Sequence, residues 1–86
     1  MNKSYKLNSN IIVELIEDSF VLLDVKKNTF YEANNTSKEI IEMIKNNMNE
    51  KEIIETLIKK YNDLNIRKDV NDYIQELLKN NIICEK

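Results

Sequence analysis

The sequence predicts an α+β domain: a three-stranded antiparallel meander followed by three helices. Two observations carry that prediction. Between Ile11 and Ala33 the apolar residues fall in short β-rich runs that alternate and are split by polar breaks. From Thr36 onward the apolar spacing lengthens to three and four, the period of an amphipathic helix. Strands first and helices after, with no alternation between them, place the helices on one face of the sheet.

Residues 1–10, MNKSYKLNSN, are polar and unpatterned and read as a frayed lead-in. Ile11–Glu17 is β-branched and strand-length, with Ile11, Val13 and Leu15 on one face and Ile12 and Ile16 on the other. Asp18-Ser19 reads as a two-residue turn into a second strand, Phe20–Val25. Lys26-Lys27-Asn28 breaks the pattern, and Asn28 tolerates the positive φ that a tight reversal needs. The third strand runs over Thr29–Ala33, with Phe30 and Tyr31 pointing to opposite faces, one to the core and one open.

Thr36-Ser37-Lys38-Glu39 fits a capping box that opens the first helix, striped by Ile40, Ile41, Ile44 and Met48. Asn49, with Glu52 three residues on, starts a second helix striped by Ile53, Ile54, Leu57, Ile58 and Tyr61. Asn62–Asn65 is a polar break. The third helix carries Ile66, Val70, Tyr73, Ile74, Leu77 and Leu78 on its stripe and ends at Asn80-Asn81. Ile82-Ile83-Cys84 reads as an apolar tail folding back onto the core. All 86 residues form one domain, since no linker, repeat or compositional break divides them.

The absences narrow the function. A net charge of -2 argues against a nucleic-acid or anionic-membrane binder. No apolar run approaches a membrane span, the start lacks a signal peptide's apolar segment, and the single cysteine fits a reducing compartment, so the expected location is the cytoplasm. Histidine and glycine are both absent, which removes the commonest general base, Gly-rich phosphate loops and the nucleophile elbow. One cysteine without histidine leaves too few soft ligands for zinc. The expectation is a non-catalytic protein with no cofactor and no metal. Glu17 with Asp18, and Asp69 with Asp72, read as turn and helix-surface charges, and Cys84 reads as a small apolar residue. Tyr61 and Tyr73 read as core residues with a polar tip.

The third strand is the candidate site. If it ends the sheet, its outer N–H and C=O groups are unpaired and can accept an extended peptide as an added strand. The succession of motifs also resembles the PqqD-like family, whose fold is called the RiPP recognition element. The resemblance lies in Leu22-Leu23-Asp24-Val25, a turn, Phe30-Tyr31, then Glu32-Ala33-Asn34 opening a helix. It continues through Lys60-Tyr61 to Leu77-Leu78 and Asn81-Ile82-Ile83. It spans roughly Val13 to Ile83. The family commonly has Gly where Asn28 and Asn81 stand, Leu where Ala33 stands and an aromatic where Met43 stands.

That resemblance implies an adaptor that binds the leader segment of a ribosomally made precursor peptide and presents it to a modifying enzyme, such as a radical SAM protein. Carried over, the peptide-binding residues are Thr29, Phe30, Tyr31, Glu32 and Ala33 on the edge. The helical wall is Arg67, Asn71, Ile74, Gln75 and Leu78. Arg67 itself reads first as a solvated surface charge and second as the partner of an acidic leader residue. Ala33→Pro is the expected probe of the edge, removing one of its N–H groups. An open edge also allows a weak homodimer. Two other readings stand beside this one: a DNA-binding winged-helix regulator using the helices around Asn62–Asn65, and a small enzyme. Asp69, Asp72 and Glu76 on the would-be recognition helix repel phosphate and weigh against the first. The missing catalytic groups weigh against the second.

Overall fold

The computed structural model describes residues 3–86 and begins with a strand where the sequence predicts a frayed lead-in. β1 (Tyr5–Leu7) pairs antiparallel with the C-terminal β5 (Ile83–Glu85), setting Tyr5 opposite Glu85 and Leu7 opposite Ile83. Tyr5 is wholly buried, and its hydroxyl donates to Glu50 Oε2 at 3.2 Å. Only Met1 and Asn2 of the lead-in lie outside the described residues. Three alternating residues are too short a run to show a period, which is why the strand was not visible. The tail does fold back as expected, with Ile82 and Ile83 buried.

The expected meander follows: β2 (Ile11–Ile16), β3 (Ser19–Asp24) and β4 (Thr29–Ala33), in the spatial order β2-β3-β4. The turn between β2 and β3 is Glu17-Asp18, one residue earlier than the sequence suggests. The register pairs Ile16 with Ser19, and Glu17 takes φ 56°. A two-residue hairpin loop needs positive φ at its first central residue, and a chain without glycine places a glutamate there. The other positive-φ positions are all asparagine: Asn28, Asn47, Asn62 and Asn81. Asparagine is the side chain that visits this region at least cost after glycine.

The helices are α1 (Asn35–Lys45), α2 (Glu50–Tyr61) and α3 (Ile66–Lys79). The expected Thr36–Glu39 capping box does not form. Asn34 is the N-cap instead, its side chain accepting from Ser37 N–H at 2.9 Å, and Thr36 already lies inside the helix. Glu39 is drawn away to accept from Lys60 Nζ at 2.9 Å and the Tyr61 hydroxyl at 2.7 Å. Those two bonds, Tyr61's first, hold the Glu39 carboxyl below its ordinary value. They also explain why Tyr61 is not in the core: it is 44% exposed and bridges α2 to α1. At α2 the capping box forms as expected, with Glu52 N–H donating to Asn49 Oδ1 at 2.8 Å and Asn49 N–H to Glu52 Oε1 at 3.0 Å.

α3 ends in a Schellman arrangement. Asn81 at φ 58° lets its own N–H reach the Leu78 carbonyl while Ile82 N–H reaches Leu77. The core runs between the inner face of the meander (Ile11, Phe20, Leu22) and the three helices (Ile40, Ile41, Ile44, Ile53, Leu57, Val70, Ile74, Leu77). No described helix is long and apolar enough to cross a membrane.

Candidate functional site

The β3–β4 hairpin is set by Asp24, which is 1% exposed at the end of β3. Its Oδ1 accepts from Asn10 Nδ2 at 3.0 Å, from Lys27 N–H at 3.0 Å and from Lys26 N–H at 3.1 Å. The Asn10 bond first, and the Lys27 N–H next, hold the carboxyl below its ordinary value. With Asn28 in the left-handed region, these contacts close a four-residue loop and deliver Thr29 opposite Asp24.

One bond then decides which β4 amides are free. Val25 N–H donates to the Asn10 carbonyl at 3.0 Å. Hydrogen-bonded and non-bonded pairs alternate along an antiparallel ladder, so Leu23 and Val21 also bond toward β2, and Asp24, Leu22 and Phe20 bond toward β4. Their partners Thr29, Tyr31 and Ala33 spend their N–H and C=O groups on β3. Phe30 and Glu32 turn theirs outward. Among the described residues no strand pairs with that outer side. Ala33 therefore does not carry a free edge N–H, and the proline probe belongs at Glu32.

The side chains alternate in the opposite sense. Tyr31 and Ala33 pack on the core, so Tyr31 is the inward aromatic, and Phe30 is 68% exposed on the outer face. Beside β4 lies a cavity of about 150 Å³ bounded by Tyr31, Ala33, Asn34 and Ser37 on one side and by Tyr73, Glu76 and Leu77 of α3 with its C-cap Asn80 on the other. Asn34, Ser37 and Tyr73 also line a second, open hollow of about 580 Å³ with Tyr61, Asp63, Ile66 and Asp69. Burial chiefly raises the Tyr73 hydroxyl above its ordinary value.

The sequence places the five edge residues correctly on β4 and joins them to a helix. The wall of that helix is another matter. Arg67 and Asn71 line a separate hollow with Glu50, Ile54, Lys68 and Asp72, facing α2. Ile74 is wholly buried in the core, Leu78 packs against it, and Gln75 is exposed. None of these five borders the cavity beside β4. At about 100° per residue their centre lies roughly 150° around α3 from Tyr73, Glu76, Leu77 and Asn80. The missed signal was the core stripe itself. Ile66, Val70, Ile74 and Leu77 fix the axis, and the side facing β4 is the flank that holds Tyr73 and Glu76.

Among the described residues no group of three or more His, Cys, Asp or Glu side chains converges to hold a metal ion. What the arrangement offers is a vacant strand edge beside a slot flanked by aromatic and aliphatic side chains. That defines the class of protein, a winged-helix-like α+β domain with an open wing. The chain belongs to the PqqD family: the model for coenzyme PQQ synthesis protein D (PqqD) matches residues 19–83. Two solved structures share the fold. "TbiB1 in Complex with the TbiA(beta) Leader Peptide" is 19% identical, covers 91% of this chain and 93% of its own, and superposes with a TM-score of 0.82. "Lasso peptide synthetase B1 complexed with the leader peptide" is 18% identical, covers 94% and 98%, and gives 0.86. No curated protein matches the chain.

Proposed function

We propose that this chain is a non-catalytic adaptor that binds the leader segment of a ribosomally made precursor peptide and presents it to a modifying enzyme. The observation that carries the reading is the free edge of β4, where Phe30 and Glu32 turn their backbone groups away from β3. Family membership and the likeness in fold to two proteins solved in complex with leader peptides support it.

A leader strand laid against β4 bonds to Phe30 and Glu32, and each backbone bond contributes about 1 kcal/mol net. Its alternate side chains point into the slot between Tyr31, Ala33, Tyr73 and Leu77. The slot, about 150 Å³, has room for one large side chain, with Tyr31, Ala33 and Leu77 for its apolar body and Ser37, Glu76 and Asn80 at its polar rim. Full burial of such an anchor is worth roughly 1.5–3 kcal/mol, so the anchor outweighs any single edge bond in selecting the leader. Ordering a flexible peptide offsets part of this, and the expected affinity lies between micromolar and nanomolar.

Nucleic acid is the weaker partner. On α3, Asp69, Asp72 and Glu76 stand beside Arg67 and Lys68, and Lys68 is already tied to Asp72 at 2.8 Å. The test is titration of fluorescently labelled candidate leader peptides. Wild type binds, and Glu32→Pro loses at least tenfold while keeping its circular dichroism. Equal affinity in the folded variant contradicts strand addition.

A further inference from the structure

Val21 is 7% exposed, yet it alone among the buried apolar residues lies outside the continuous core. The register explains this. Val21 stands between Glu14 on β2 and Glu32 on β4, on the face of the meander turned away from the helices. Around it on the same face are Ile12 at 43% exposure, Ile16 at 51%, the half-buried Leu23 and Phe30 at 68%. None of these packs on the core. The meander thus carries a second apolar cluster on its outer face. Isolated exposed apolar residues are ordinary, but a contiguous set rimmed by polar groups marks an interaction surface.

Around Val21 and at the β2–β3 turn the rim is acidic, while Lys26 and Lys27 stand at the far, β3–β4 end. Glu14 and Glu32 flank Val21, and Glu17 and Asp18 form the adjoining turn. Among the described residues none of these four carboxylates is in an ion pair. A second copy of this chain is a poor occupant, because a two-fold contact sets these carboxylates against their own counterparts. The complementary occupant is a different protein whose apolar patch is bordered by lysine or arginine.

Size adds a second constraint. Three strands of five or six residues present a face of roughly 300 Å². A stable interface buries about 800 Å² per partner. The occupant must therefore reach beyond the sheet, and the neighbouring surface is the β4 edge, to which Phe30 and Glu32 also belong.

We infer that the outer face of the meander, Ile12, Val21, Leu23 and Phe30 with Glu14 and Glu32, is the docking surface for a basic-rimmed patch on the enzyme that modifies the bound peptide. This rests on the leader-binding reading. The guest strand supplies the missing area, so the enzyme holds the adaptor and peptide together, and its affinity rises when the edge is filled.

The experiment uses the full chain, the labelled leader and the purified enzyme that modifies that peptide. Ile12→Lys and Glu14→Lys sit on β2, away from the guest, at exposed positions that leave the fold standing. The expected result is at least tenfold weaker enzyme binding for each variant, with leader affinity within twofold of wild type. Lys45→Glu on α1 serves as the control and leaves both unchanged. Unchanged enzyme affinity in both lysine variants overturns the inference while leader binding stands. So does a sedimenting homodimer that Ile12→Lys dissociates, since the face then belongs to a second copy. A leader that fails to bind wild type overturns the underlying reading instead, and this inference with it.

Discussion

Val25 donates its backbone N–H to the carbonyl of Asn10 at 3.0 Å, and that bond sets the direction of every amide on β4. It follows that neighbouring prolines in the same strand have opposite consequences. Ala33→Pro removes a ladder bond to Phe20 and orphans its carbonyl, at a cost of about 1–3 kcal/mol in stability. Glu32→Pro removes only an outward N–H, so the urea midpoint hardly moves while leader binding falls. Paired urea melts and leader titrations on the two variants check both halves.

Asp24 makes the hairpin sensitive to acid. Its folded carboxyl is held below the ordinary value of 3.8, chiefly by Asn10 and the Lys27 N–H. The stabilisation is therefore complete above the unfolded value and is lost as pH falls through the lower folded one. Stability should decline below about pH 4, and Asp24→Asn, which cannot ionise, should flatten that decline. Urea melts from pH 6 to pH 2.5 measure it.

The Tyr5 hydroxyl is pushed from 10.0 up to about 12, by burial first and the Glu50 carboxylate second. Here the sign reverses: the unfolded chain gives up this proton first, so stability drops as pH rises from about 10 to about 12. Tyr5→Phe should make that drop shallower and cost about 1 kcal/mol at neutral pH for the lost bond. Tyr5→Ala empties a core position and should cost about 3–5 kcal/mol. Melts at pH 8 and pH 11 separate the two effects.

Glu17 holds φ 56° without the conformational freedom of glycine. An L-residue in that region costs roughly 1–2 kcal/mol, so Glu17→Gly should stabilise the domain by about 1 kcal/mol. At Asn81, φ 58°, glycine should gain less, because asparagine already tolerates the region. Thermal melts of the two variants side by side test the ranking.

The meander and the three helices were legible because their apolar periods run for five residues or more, and Asn49 with Glu52 announced its own helix. β1 was not, since Tyr5 and Leu7 alone define no period. The Thr36–Glu39 pattern misled because Tyr61 and Lys60, distant in sequence, compete for Glu39. The edge strand was readable, yet the α3 wall was not: which flank of a helix meets a strand depends on how the core stripe seats. Arg67 and Asn71 line the hollow toward α2 for that reason, and not the cavity beside β4. Which β4 amides face outward needed the register, which no spacing in the sequence contains.

The most direct test of the adaptor reading is amide hydrogen exchange, residue by residue, with and without the leader peptide. Thr29, Tyr31 and Ala33 should already be protected in the free protein, while Phe30 and Glu32 exchange fast and slow by at least tenfold once the peptide is bound. If a saturating leader leaves the Phe30 and Glu32 amides exchanging as in the free chain, no strand has been added to β4 and the account is contradicted.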